Sequence, residues 1–98
     1  MTISAVSIHH GGTLDVALPL VKRLHAVLAK HGVQYRLSQF DTGPNTWNWL
    51  TIVTYRDRAA YDEAQQNFAQ DAEYQEIVSE IRKFATQQSR ELVTDIDL

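Results

Sequence analysis

The chain has 98 residues, of which nine are basic and twelve acidic, giving a net charge of −3, and it has no cysteine. That length fits one domain burying roughly two thirds of its unfolded surface. The acidic balance lacks the positive field that holds a phosphate backbone, so nucleic acid is not an expected partner, and a disulfide framework, thiolate metal site or cysteine nucleophile is excluded.

The opening residues carry no basic segment followed by an apolar core, and no run approaches the roughly 20 apolar residues that span a bilayer. A cytosolic protein without a membrane partner is expected. Thr2 to His10 alternates, with Val6 and Ile8 on one side and Ile3 and Ala5 on the other, which predicts a first strand. Gly11-Gly12 breaks it. From Leu14 to His31 the positions Leu14, Leu18, Val21, Leu24 or His25, and Leu28 recur at helical spacing, with Thr13 placed to cap the helix and Gly32 to end it. Pro19 implies that the regular helix starts there or is kinked, because proline removes a helical donor and crowds the preceding turn.

Val33 to Asp41 predicts a second strand, with Val33, Tyr35, Leu37 and Gln39 on one face. Thr42-Gly43-Pro44-Asn45 is a turn signal joining it to a third strand, Trp47 to Tyr55. Asp57 stands where a helix cap belongs, and Tyr61, Ala64 and Phe68 form the inner face of a short helix. Asp71 begins a second cap, followed by Tyr74, Ile77, Val78, Ile81 and Phe84 at helical spacing. Gln88 to Ile96 reads as a last strand. The order βαββαβ predicts an α+β, ferredoxin-like domain: a four-stranded antiparallel sheet with its helices on one face.

The third strand carries large side chains on both faces. With helices over one face, the set Trp47, Trp49, Thr51, Val53 and Tyr55 needs a second partner, either a subunit interface or a ligand cavity. A homodimer with its sheets face to face is expected, with further assembly left open.

Several stretches resemble the dimeric α/β barrel superfamily, and within it NIPSNAP-like and antibiotic-biosynthesis-monooxygenase-like domains. They are His9-His10-Gly11-Gly12 at the end of the first strand, Leu28-Ala29-Lys30-His31-Gly32, the tryptophan strand, Tyr55-Arg56-Asp57-Arg58-Ala59-Ala60-Tyr61, and Phe68 to Tyr74. The resemblance covers most of the chain. It implies a homodimeric barrel, often with a small-molecule cavity, and for monooxygenase-like members oxidation of reactive aromatic substrates without metal or flavin. Tyr61 to Phe84 contains no histidine, unlike haem-degrading relatives, which argues against a haem role. No cofactor is expected.

The strand order brings His9, His10, Asp41, Asn45, Trp47, Trp49 and Arg90 toward one end of the sheet. His9 and His10 are neighbours on a strand and point to opposite faces. With Val6 and Ile8 packed on the helices, His9 follows Ala5 and Ser7 onto the barrel face beside Trp49, and this is the expectation adopted. His9 is then a candidate general base, and Arg90 a candidate holder of an anionic or enolate oxygen. Trp47, Trp49, Tyr35 and Asp41 are candidates for binding a small apolar or aromatic ligand, with interface core as the other reading of the tryptophans. His25 and His31 fall on different helix faces and no metal motif occurs, so no metal is expected. Gly11-Gly12 reads as a turn, the acidic residues from Asp62 to Glu80 as a solvated face, and no serine stands in a nucleophile elbow.

Overall fold

A computed structural model describes residues 1–98. The elements run β1 (Ile3–His10), α1 (Leu14–Lys30), β2 (Gln34–Gln39), β3 (Trp49–Tyr55), α2 (Arg58–Gln70), α3 (Ala72–Arg82) and β4 (Thr86–Thr94). The strands form one antiparallel sheet in the order β2-β3-β1-β4. This is the ferredoxin-like α+β architecture, with the second helical region in two pieces. No helix is long and apolar enough to cross a membrane.

Local chemistry sets the helix boundaries. At the end of α1, Gly32 takes φ 71°, while Gly32 N–H donates to the Ala29 carbonyl at 3.0 Å and Val33 N–H to the Leu28 carbonyl at 3.1 Å. This is the paired bonding of a Schellman cap, and buried Leu28 and Val33 join the same core cluster. Helix α1 runs through Pro19 rather than starting at it, which deprives the Asp15 carbonyl of its helical donor. Asp57 caps α2 by accepting from Ala60 N–H at 2.7 Å. Asp71 both ends α2 and caps α3, one carboxylate oxygen accepting from Tyr74 N–H at 3.0 Å. Its other oxygen lies 2.8 Å from Nε2 of His31, tying the corner between the helices to the end of α1.

The core lies between the helices and one face of the sheet, around Ile77, Val27, Leu28 and Phe68. Here the expected sidedness is reversed. Ala5, Tyr55 and, partly buried, Tyr35 and Val53 pack with the helix residues, so the alternate positions of β1 and β3 (Ser4, Val6, Ile8, Leu50, Ile52 and Thr54) occupy the helix-free face. The cause is volume. Aromatic side chains on β3 fill the gap between layers, and the small residues Ala5 and Ser7 beside them make room. The aliphatic set suits the flatter open face.

Gly11 and Gly12 have φ of 102° and 74°. A Cβ on Gly12 would lie 2.5 Å from the Phe84 ring, and one on Gly11 would lie 2.7 Å from the Phe84 carbonyl. The pair therefore serves close packing of the chain leaving β1 against the segment that enters β4.

Candidate functional site

An apolar cavity of about 170 Å³ opens between the sheet and the helices. The sheet contributes Ala5, Ser7 and His9 from β1, Tyr35 and Leu37 from β2, alternate residues Trp49 to Tyr55 from β3, and Gln87 and Arg90 from β4. Helices contribute Val21, Leu24, Leu28, Gln65, Phe68, Tyr74, Val78 and Ile81, and Phe84 closes one end. The mainly apolar lining favours an apolar ligand here, oriented by the few polar groups present.

His9 is the titratable imidazole of the cavity. Its Nε2 lies 3.3 Å from the Thr51 hydroxyl, and loss of hydration lowers its pKa below the ordinary value of 6.5. The ring is consequently neutral at physiological pH and free to accept a proton. Its strand partner Trp49 is 6% exposed and donates its indole N–H to the Gly11 carbonyl at 3.2 Å. That bond holds the indole against the cavity as a fixed wall.

The opposite end is built from tyrosines around one cation. Arg90 donates to the Tyr61 hydroxyl at 3.0 Å and lies 5.7 Å from the ring centroid. Tyr55 meets Tyr61 edge-on at 5.0 Å, Gln65 donates to the Tyr55 hydroxyl at 3.3 Å, and Phe68 stacks on Tyr74 at 4.5 Å. Burial pushes the phenols of Tyr35 and Tyr55 up to about 12 and raises that of Tyr74, so all three stay protonated as donors. Arg90 is exposed on edge strand β4 and stands at the cavity mouth. Its guanidinium has five donors, which leaves capacity for a ligand oxygen beyond the bond to Tyr61.

No protein-family model matches the sequence, and neither does any curated protein. Solved structures do. SnoaB, a cofactor-independent oxygenase from Streptomyces nogalater, superposes with a TM-score of 0.77 at 15% identity, over 99% of this chain and 95% of that one. This chain has the fold of SnoaB. Rv0793 from Mycobacterium tuberculosis matches with a TM-score of 0.61 and 14% identity, over 100% of this chain and 98% of that one. A dimeric protein of unknown function and ferredoxin-like fold from Bacteroides fragilis matches with a TM-score of 0.58 and 12% identity, over 94% and 92%. The structural neighbours of this chain therefore include a dimeric protein of ferredoxin-like fold and a cofactor-independent oxygenase.

Among the residues singled out in the sequence, His9, Trp49, Tyr35 and Arg90 line one cavity, but it lies under the helices and not on the barrel face. Trp47 and Asp41 are outside it: Asp41 is exposed and Trp47 is 70% exposed. Strand alternation placed Trp47 with Trp49, and a bulge breaks that alternation. Trp47 N–H donates to the Phe40 carbonyl at 2.9 Å while Phe40 N–H donates to the Asn48 carbonyl at 3.0 Å, so two residues oppose one. Trp47 takes φ 72° in this bulge, a left-handed position that favours glycine and strains other residues by about 1–2 kcal/mol.

Gln65 and Gln87 are cavity residues that the sequence reading missed. Thr51 was legible from its alternation with Trp49. Gln87 was not, because a register shift in the β1–β4 pairing between Ile8 and His9 brings Gln87 opposite His9. His10 points away from His9, its Nδ1 lying 2.9 Å from Asn48 Oδ1, and the Asn48 amide donates to Asn45 at 3.2 Å and Gln88 at 3.3 Å. These residues form a polar clamp at the end of the sheet, separate from the cavity.

Proposed function

We propose that this chain is a small-molecule-binding dimeric barrel domain of NIPSNAP-like or antibiotic-biosynthesis-monooxygenase-like character, acting in the cytosol as a cofactor-independent oxygenase or isomerase on an aromatic or polyketide-like substrate. The observation that carries this reading is the apolar cavity with a neutral, hydrogen-bonded His9 beside Trp49 and an Arg90 guanidinium at its mouth. An engineered cavity of about 150 Å³ accepts benzene, so the cavity volume of about 170 Å³ suits one substituted ring. A larger skeleton would extend past Arg90 into solvent.

In this reading His9 takes a proton from an acidic C–H or O–H of the ring, and Arg90 pairs with the enolate or phenolate oxygen that results. Isomerisation needs only return of the proton to another carbon. In oxygenation the electron-rich carbanion reduces O₂ and forms a C–O bond. The peroxide then breaks down so that a CH₂ group and O₂ become C=O and H₂O, oxygen itself supplying the oxidising equivalents. Fold likeness to SnoaB, whose description is that of a cofactor-independent oxygenase, supports this class of chemistry.

The homodimer belongs to the same proposal. The helix-free face carries Val6, Ile8, Leu50 and Ile52, all only partly covered, and a like-folded solved structure is dimeric. Two such faces packed together resemble an aligned sheet sandwich. A second reading, a non-catalytic homo-oligomeric binding or assembly module, is favoured by that open face and exposed Trp47.

The test is titration of one-ring phenols and enolisable aromatics into metal-stripped protein carrying Trp47→Phe, which leaves Trp49 as the emitting indole, together with oxygen uptake. Saturable quenching at one ligand per protomer, with turnover lost in His9→Ala and weakened for anionic ligands in Arg90→Ala, is expected. Binding to some other surface, or none, would favour the assembly module.

A further inference from the structure

Ser7 is the one buried polar side chain that the fold does not account for. The buried polar residues are Ser4, Ser7 and Asn48. Ser4 shares a hydrogen bond with the Thr54 hydroxyl at 3.1 Å and donates to Asp95 at 3.2 Å, and the Asn48 side chain bonds His10, Asn45 and Gln88. Ser7 is only 6% exposed, and its hydroxyl has no partner within the chain. No buried side-chain oxygen or nitrogen is sealed away without a partner, so the hydroxyl of Ser7, a cavity residue, opens into the cavity. Volume alone does not call for it. Ala5, two residues earlier on the same face, meets the same need for a small side chain with no hydroxyl to desolvate. A buried hydroxyl left for a group from outside the chain points to binding.

Strand register shows what surrounds it. On the cavity face Arg90 of β4, Ser7 of β1, Thr51 of β3 and Leu37 of β2 stand in one row across the sheet, neighbours about 5 Å apart. Gln88 is the extra residue where the β1–β4 register shifts, and that shift lets Gln87 and Arg90, on opposite faces of a regular strand, both line the cavity. His9 lies two residues along β1 from Ser7, about 7 Å away, and its Nε2 engages the Thr51 hydroxyl at 3.3 Å. The helices opposite present mainly apolar side chains, among them Leu24, Leu28, Val78 and Ile81. The cavity therefore has a polar strip across its floor and an apolar roof. Within that strip the Ser7 hydroxyl and the spare N–H groups of Arg90 are adjacent donors.

We propose that Ser7 binds substrate and determines specificity: its hydroxyl, beside the Arg90 guanidinium, donates to a phenolate, enolate or carbonyl oxygen that the substrate turns toward the sheet. The assignment rests on the function proposed above and names the group that selects its substrates. When His9 takes a proton from the substrate, the electron pair left behind is delocalised onto that oxygen, and two donors set in place beforehand hold the charge. Selection comes from the same hydroxyl. A ring carrying oxygen at this point satisfies it, whereas a ring of the same shape carrying a methyl group leaves it unpaired. A site built to bond an oxygen rejects such an analogue far more strongly than a site built on shape.

The test compares meta-bromophenol, at a pH that ionises it, with meta-bromotoluene, by quenching of Trp49 in protein carrying Trp47→Phe. Ser7→Ala is expected to weaken the phenolate about 10-fold or more and to leave the toluene unchanged or bound more tightly. Ser7→Thr, which restores the hydroxyl, should recover most of the loss. Because the hydroxyl has no partner to lose in the free protein, Ser7→Ala should leave the melting temperature unchanged or raised. A melting temperature lowered by Ser7→Ala would show the hydroxyl bonded within the chain and overturn the assignment. If Ser7→Ala spares phenolate binding, or weakens both ligands alike, while Arg90→Ala still weakens the phenolate alone, the role of Ser7 is overturned and the proposed function stands. If neither ligand binds saturably to protein with Ser7 and Arg90 intact, both are overturned.

Discussion

Trp47 and Trp49 are two residues apart, yet one is 70% exposed and the other 6%. Trp49 lies on the covered face of the sheet, fixed by its bond to Gly11 and packed where His9 and the helices enclose a cavity. Trp47 lies in a bulge, outside that cavity. The difference shows that residue type does not assign a face. The same side chain becomes wall or projection according to whether regular pairing continues beneath it, and one irregular position in the hairpin decides which.

The largest effect separating the two environments is expected at Trp49→Ala, which should cost about 3–5 kcal/mol in urea unfolding. Trp47→Gly should leave the melting temperature of the monomer unchanged or raised. If both tryptophans proved equally costly to remove, the contrast would collapse. Next comes Ile77→Ala, expected to cost about 2–5 kcal/mol because Ile77 is fully buried between sheet and helices. Ile52→Ala on the open face should cost only about 1 kcal/mol when measured on monomer. Equal losses would mean that the open face is already covered in the single chain.

Gly12→Ala is expected to cost about 1–3 kcal/mol, combining a left-handed φ with a Cβ driven into the Phe84 ring. Gly43→Ala, with open space around it, should lose only the conformational part.

The smallest effect is in acid. His9 is harder to protonate in the fold than in the unfolded chain, so below about its ordinary value of 6.5 the unfolded state binds more protons and stability falls as pH drops. His9→Gln should flatten that slope. Asp71, held below the ordinary carboxylate range by its bonds to His31 and Tyr74 N–H, contributes stability above about 3.8 that is lost as pH falls further. Asp71→Asn should remove the second decline and leave the first. Equilibrium unfolding at stepped pH separates the two windows.

The element order was readable because punctuation marks it: Gly11-Gly12, Gly32, the Thr42–Asn45 turn, and Asp57 and Asp71 as caps. Which face the helices cover was not. Alternation separates Trp49, Thr51 and Val53 from Leu50 and Ile52, but both sets are apolar, and only the volumes available between layers decide which goes inside. Four of the six candidate site residues share one cavity despite this uncertainty. His9, Trp49, Tyr35 and Arg90 came together because neighbouring strands share a face whichever way it is turned. Trp47 fell away because a bulge has no periodic signature, and Gln87 was hidden by a register shift for the same reason.

The start of α1 has a consequence for how a ligand could reach the cavity. Thr13 makes no side-chain cap bond, Pro19 leaves the Asp15 carbonyl unpaired within the helix, and Leu14 and Val16 are 46% and 53% exposed. In these first turns only the small side chain of Ala17 is buried, while the larger Leu24, Val27 and Leu28 anchor the later turns in the core. Amide hydrogens of residues 16–18 should therefore exchange with solvent much faster than those of 24–28, through fraying that leaves the rest of the domain intact. Ala17 and Val21 belong to the cavity wall, so such a fluctuation would widen the cavity on the α1 side without unfolding the sheet.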